Sequence, residues 1–323
     1  MPSLTEWRVP PAHQPRAGDY SFELDRALAS IVGLHAIIPS DAFTAETLGT
    51  ERAGNGVVID DGLILTIGYL ITEADSVWLH LDSGRAVEGH VLGFDSITGF
   101  GLVQALGQLE VDPLPLGSSA AVKVGDRVVL GGAGGRTRSV ASQIVARQEF
   151  AGYWEYLLED ALFTHPAHPN WGGTGLISAA GELIGIGSLQ LERERDSKAE
   201  HVNMIVPIDL LKPVLDDLRK FGRVNKPARP WLGMYSTEID GRVVVIGLSD
   251  NGPAARAELK AGDVIVAVNG DKVTSQAEFY RKMWALGAAG VDVPLTIYHE
   301  GVTFDVVLAS TDRTKLLKGP RLH

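Results

Sequence analysis

The strongest constraint on this chain is the spacing of its apolar runs between Gly54 and Pro207. "GVVIDDGLILTIGYLI", "SVWLHLDSGRAVEGHVLGFD", "DRVVLGGAGG", "LIGIGSLQL" and "VNMIVPIDL" are short runs, split by Gly, Asp-Gly or Asp-Ser. A helix wants apolar positions three and four residues apart over several turns; short runs with turn residues between them suit strands joined by tight connections. This segment is expected to be all-β, a barrel or a sandwich. The rhythm changes at "IDLLKPVLDDLRKFGRV", where apolar residues recur at three- and four-residue spacing, so a short amphipathic helix ending near Gly222 is predicted. "NKPARP" then reads as a linker. Beyond it strands alternate with two short helices, which predicts a second module of α+β type.

With 323 residues the chain can hold two or three domains, each with its own core. Lys plus Arg is 29 against 40 for Asp plus Glu, a net charge of -11, which argues against a nucleic-acid backbone as partner. The small basic tail of Arg313, Lys315, Lys318 and Arg321 reads as a solvated terminus. Absence of cysteine removes disulfides, thiolate metal sites and cysteine nucleophiles together. No run reaches the roughly 20 apolar residues of a membrane helix, and the first residues lack a signal-like apolar core. A cytoplasmic protein is the expectation that follows. The boundaries expected are an arm over 1–26, a first domain over 27–212, helix end and linker over 213–228, a second domain over 229–312 and the tail over 313–323.

In the second domain, "WLGM" at Trp231 to Met234, "GPAARAELKAGDVIVAVNG" at Gly252 to Gly270 and "SQAEFYRKMWAL" at Ser275 to Leu286 carry a resemblance. They look like a PDZ domain of the bacterial protease type. Successive N–H groups of a tight Gly-containing loop can form a nest for a terminal carboxylate, and an exposed strand edge beside it can take a peptide as an added strand. Trp231, Leu232, Gly233 and Met234 are the candidate loop. Phe279, Met283 and Leu286 share one helix face that either floors a side-chain pocket or belongs to the core.

A PDZ module behind a double-barrel pattern resembles the HtrA/Deg family of trypsin-like serine proteases. The fold implied is mainly β, a trypsin-like double β-barrel followed by a PDZ domain. The family's general base lies in "T-x-x-H-V-V" after a "G-x-G-V-I" strand; "GNGVVIDDGLILTIGYLI" keeps the frame and has Tyr69 in the histidine's place. For the orienting acid in "D-x-x-T-D-L-A-V-L" this chain reads "DSITGFGLVQA", with Asp95 and Thr98 kept and Gly99 where the acid would be. "N-P-G-N-S-G-G-P-L" aligns without a gap on "HPNWGGTGL", which puts Gly172 at the nucleophile and Asn170 at an oxyanion-hole position; a shift by one residue would put Trp171 at the nucleophile. Acyl transfer needs a hydroxyl, an imidazole to activate it and a carboxylate to orient the imidazole. None stands at these positions, so a pseudoprotease is expected.

Three alternatives remain on the residues. Thr164, Thr174 or Ser178 with His165 or His168 could form a relocated site and preserve an active endopeptidase. His165 and His168 in "THPAHP" could hold a transition metal, with His201, His35 or a carboxylate as third ligand; otherwise they are surface residues and no cofactor is needed. Tyr69 and Trp171 could line the old cleft as a binding surface or plug it. The partners expected are carboxyl-terminal or unfolded peptide segments. The family further implies a homotrimer, or a mixed trimer with an active homologue, with Trp7, Tyr20 and Phe22 as contact candidates.

Overall fold

Twelve strands of the computed structural model, which describes residues 7–195 and 197–319, close into two six-stranded barrels. The first contains β1 (Ile31–Ile37), β2 (Glu51–Asp60), β3 (Leu63–Ile67), β4 (Ser76–His80), β5 (Ala86–Phe94) and β6 (Phe100–Ala105), in the order β1-β2-β3-β6-β5-β4. The second contains β7 (Arg127–Gly131), β8 (Val140–Gly152), β9 (Tyr156–His165), β10 (Gly175–Ile177), β11 (Leu183–Arg195) and β12 (Lys198–Pro207), in the order β10-β11-β12-β9-β8-β7. Strands β4 and β5 alternate buried and exposed residues, as a barrel wall with one wet face requires. All five residues of β3 are buried. Val57, Ile64, Leu65, Phe100 and Leu102 in the first barrel, and Val129, Leu162, Ile186 and Met204 in the second, are fully inside. Each such side chain contributes roughly 1.5–3 kcal/mol over its exposed state.

The predicted helix forms at Leu215–Phe221, with Leu218 buried, and it packs against β5. It ends where expected: Gly222 adopts φ 69°, the left-handed cap conformation in which glycine carries no Cβ penalty.

A third sheet follows, with β13 (Met234–Ile239), β14 (Arg242–Leu248), β15 (Val264–Val268), β17 (Asp292–His299) and β18 (Val302–Ala309) in that order, while β16 (Asp271–Lys272) pairs with β15. The helix Gln276–Ala285 packs on this sheet, its Ser275 cap accepting the Glu278 N–H at 3.1 Å. The α+β module expected from the sequence is therefore present.

Where the chain divides differs from the sequence boundaries. Among the described residues, those from Trp7 to Gln148, Asp160–Val224 and Lys318–Gly319 form one unit; Glu149–Glu159 and Asn225–Leu317 form the other. The tip of the β8–β9 hairpin thus belongs with the PDZ-like sheet, because its Leu157 shares an apolar cluster with Leu232, Met234, Phe279 and Met283. The expected arm is part of the first unit: the Val9 N–H donates to Thr137 O at 2.9 Å, and Trp7 sets its ring edge-to-face against His168 at 5.4 Å. Tyr20 and Phe22 are partly buried and pack on each other at 5.4 Å. In the expected tail, Arg313 and Lys315 lie on a single turn of the second unit, the Lys318 N–H donates to the Glu73 carboxylate at 2.9 Å, and Arg321 lies outside the described residues.

Candidate functional site

The three positions read as a vacated triad do converge. Tyr69 sits on the turn Gly68–Leu70 directly after β3, Gly99 in the β5–β6 loop and Gly172 in the loop before β10. The Gly68 N–H donates to Gly99 O at 2.7 Å, and a Cβ placed on Gly172 would stand 2.7 Å from the Tyr69 hydroxyl. The sequence alignment thus names positions that lie close to one another. The Tyr69 hydroxyl donates to Ser188 O at 2.9 Å, and burial pushes its phenol above the ordinary value, so it is neither a base nor an available nucleophile. Tyr69 fills the space a Gly172 side chain would need. Gly99 has φ 88°, a left-handed conformation, within a turn capped by the buried Asp95 through the N–H groups of Ile97 and Thr98.

The loop that aligns with the family's oxyanion motif makes internal bonds. The Asn170 N–H donates to His168 Nδ1 at 3.1 Å, so this amide points at an imidazole instead of a cleft. Trp171 O accepts from the Thr174 N–H at 3.2 Å and its hydroxyl at 2.9 Å. Asn55 of β2, which the sequence reading missed, ties the loop to the first barrel. Its backbone N–H and Nδ2 both donate to Gly172 O, at 2.8 and 3.1 Å, Nδ2 also reaches Asn170 O, and Oδ1 accepts from the Ala133 N–H.

The other candidates make separate contacts. Thr164 Oγ1 is buried and has no hydrogen-bond partner among the described residues; Thr174 is held by Trp171 O, and Ser178 Oγ accepts the N–H groups of Ala180 and Glu182. His165 rests its Nδ1 on His201 O at 3.0 Å and its Nε2 on Glu200 at 3.5 Å.

His165 and His168 are also not brought together as a ligand pair. His168 is fully buried, with Nε2 against Arg138 O at 2.7 Å and Nδ1 accepting from Asn170. A carbonyl partner requires Nε2–H and an N–H partner requires a bare Nδ1, so this is a neutral imidazole with no free lone pair. Among the described residues no group of three or more His, Asp and Glu could hold a metal ion. The metal expectation is corrected accordingly, because one of its two ligands is a structural part of the loop.

Burial pushes the His168 pKa down from 6.5 to about 4, against the pull of its two backbone partners. Between these values the unfolded chain takes up a proton that the folded chain refuses, so stability present above pH 6.5 falls as pH drops toward 4. The loss is about 3 kcal/mol at most. Urea midpoints measured from pH 7 to pH 4 should fall more steeply for the unaltered chain than for His168→Gln, whose amide can still donate to Arg138 O. Parallel profiles would count against this.

The PDZ-like loop is where the second unit offers chemistry. The side chains of Trp231, Leu232 and Met234 are buried, so the loop presents its backbone rather than its side chains. Gly233 adopts φ 75°, which turns consecutive amides toward one point. That point is occupied. The Glu155 carboxylate, from the tip of the β8–β9 hairpin, accepts from the N–H groups of Leu232 at 3.1 Å, Gly233 at 2.8 Å and Met234 at 3.0 Å. Burial pushes the Glu155 carboxyl up to about 7, while these three donors and the charge of Arg313 pull the other way. Beside it the Ser236 N–H of the edge strand β13 donates to Tyr153 O at 2.9 Å. Phe279 and Met283 are completely buried and Leu286 packs at the edge of their cluster, with Leu157 of the hairpin tip among them. The helix face thus belongs to the core of the module.

Glu155 was not singled out from the sequence. One signal was available: "GYWEY" joins two strand runs with a turn whose last residue has φ 61°, a place where Gly or Asn is usual and Glu is not.

Residues 54–186 match the family described as trypsin-like peptidase domain, and residues 230–309 match the PDZ domain family. The chain is 30% identical over 244 residues to serine endoprotease DegS of Haemophilus influenzae, spanning 72% of this chain and 69% of that one. It is 29% identical over 287 residues to a probable periplasmic serine endoprotease, DegP-like, of Halomonas elongata, spanning 82% and 58%. Among solved structures, the HtrA-type protease AlgW with decapeptide superposes with a TM-score of 0.54 at 19% identity, over 92% of this chain and 98% of that one, a likeness of fold. The expectation of a cytoplasmic protein is overturned by these relatives, several of which are named as periplasmic. It had rested on the composition of the first residues.

Proposed function

The chain belongs to the HtrA/Deg family, a trypsin-like domain followed by a PDZ domain, and from that membership we propose that it binds peptide tails in the periplasm without cutting them. It acts as an adaptor, regulator or chaperone for carboxyl-terminal or unfolded segments. The observation that carries this reading is the triad itself: Gly172 has no side chain, Tyr69 spends its hydroxyl on Ser188 O, and Gly99 offers no carboxylate. The Asn170 amide, bound to His168, adds to it. On the binding side, a nest of three consecutive amides beside an edge strand is the arrangement that receives a terminal carboxylate and an added strand.

The second reading, an active endopeptidase, is favoured by the names of the relatives. One experiment separates the two. The full chain is incubated with unfolded casein and with a serine-reactive fluorophosphonate, and at high concentration with a fluorescent peptide ending in a free carboxylate or in an amide. The expected result is no cleavage, no labelling and binding that requires the carboxylate. Cuts that persist through repurification would establish the endopeptidase instead.

A further inference from the structure

The groove is already filled by the chain that built it. The hairpin tip meets it at the three points where a peptide tail would: a carboxylate in the amide nest through Glu155, a main-chain carbonyl on the edge strand through Tyr153, and an aliphatic side chain in the apolar cluster through Leu157. Helix side chains close over the tip as well. Gly152 O accepts from the Tyr280 hydroxyl at 2.8 Å and from Gln276 Nε2 at 3.3 Å, the Glu155 N–H donates to the Tyr280 hydroxyl at 3.2 Å, and Arg281 pairs with Glu149 and Glu159. Glu155 also holds φ 61°, a strained conformation for a non-glycine residue, and the carboxylate contacts offset that strain.

We propose that the free chain keeps its peptide groove closed with its own hairpin tip, Glu155 standing in for a terminal carboxylate, and that a peptide tail binds only by displacing it. The proposal rests on the peptide-tail reading of the groove and adds the competitor. A segment tethered at both ends faces the nest at an effective concentration on the order of millimolar or more, so an outside tail binds with its intrinsic affinity reduced by the fraction of chains whose groove is open. Leu157 indicates the class of tail that competes best: one ending in an aliphatic residue with a free carboxylate. A carboxylate replaces the Glu155 contacts best, because its charge strengthens the bonds from the three inward-aimed N–H groups that would otherwise lose their acceptor.

The test uses the full chain, its Glu155→Ala variant and the isosteric Glu155→Gln variant, with a fluorescent decapeptide ending in leucine and its carboxyl-terminal amide. The expected result is that the acid peptide binds Glu155→Ala at least tenfold more tightly than the unaltered chain. Glu155→Gln, which keeps the tip's shape, should fall between them. The amide peptide should bind none of the three. Hydrogen exchange gives a readout that needs no substitution: the Leu232, Gly233, Met234 and Ser236 amides should be protected in the unaltered chain and exposed in Glu155→Ala, then protected again once peptide is added. Equal affinity of the acid peptide for the unaltered chain and for Glu155→Ala, or exposed nest amides in the free unaltered chain, would overturn the closed groove while leaving peptide binding intact. Indifference to acid or amide ending in every chain would instead overturn the groove reading and the competition with it.

Discussion

A chain carrying Tyr69→His, Gly99→Asp and Gly172→Ser together is expected to cut unfolded casein no faster than the unaltered chain. Restoring three side chains does not restore the backbone that aimed them. Gly99 has φ 88°, so an aspartate there must either accept a left-handed strain of about 1–3 kcal/mol or pull apart the Asp95-capped turn around it. The Asn170 amide stays bound to His168 Nδ1, and loss of one oxyanion donor alone lowers the rate about 10²- to 10³-fold. A serine at 172 also needs the tyrosine gone, because its Cβ would lie 2.7 Å from the Tyr69 hydroxyl. Since triad members act as a unit worth about 10⁶-fold, a misplaced set gives almost nothing. Mass spectrometry of the digest is the measurement. Cleavage that appears with all three substitutions, and vanishes when Gly172→Ser is omitted, would mean the loop is freer than its hydrogen bonds suggest.

The second large effect concerns the loop's present work as a joint between the barrels. Gly173→Ala is expected to cost more than about 4 kcal/mol, enough to unfold most of a marginal domain. Gly173 has φ 76°, and an added Cβ would lie 1.8 Å from Asn55 O and 2.7 Å from Thr66 Oγ1. The first of these is main chain of β2, whose position is fixed by the Asn55 N–H to Gly172 O bond and by the Thr66 hydroxyl on Asn55 O at 2.7 Å. No side-chain rotation relieves it. Gly84→Ala supplies the comparison, because Gly84 has φ 84° but nothing within 4 Å of its Cβ position. That change should cost only the conformational strain, about 1–2 kcal/mol. Urea denaturation of both variants separates the two contributions, and equal losses would show that the clash at Asn55 O is absorbed.

Much of the architecture could be read before any coordinates. The short apolar runs with turn residues between them became the barrel strands, and "LDDLRKFG" became a helix with its glycine cap at Gly222. These signals are local: period, turn chemistry and capping act within a few residues. The residues at Tyr69, Gly99 and Gly172 were legible against the family's motifs for a related reason, since each motif is one contiguous stretch that can be compared position by position. The two histidines misled because their chemistry depends on burial. His168 looks like a surface ligand in "THPAHP" and is a neutral imidazole locked between Arg138 O and the Asn170 amide.

The contents of the amide nest were of the other kind. Glu155 lies 77 residues before Leu232, and its three donors are main-chain groups that every sequence possesses. Asn55 reaches Gly172 across 117 residues in the same way. By itself the sequence determined the two barrels, the PDZ-like module and which residues stand at the positions that match the family's triad motifs, because hydrophobic period and contiguous motifs are written along the chain. Tertiary structure alone decided that a hairpin tip from the barrel strands joins the second unit and puts its carboxylate in the nest. A nest recognises charge and shape at one point in space, and which residue arrives there is set by the packing of strands far apart in sequence.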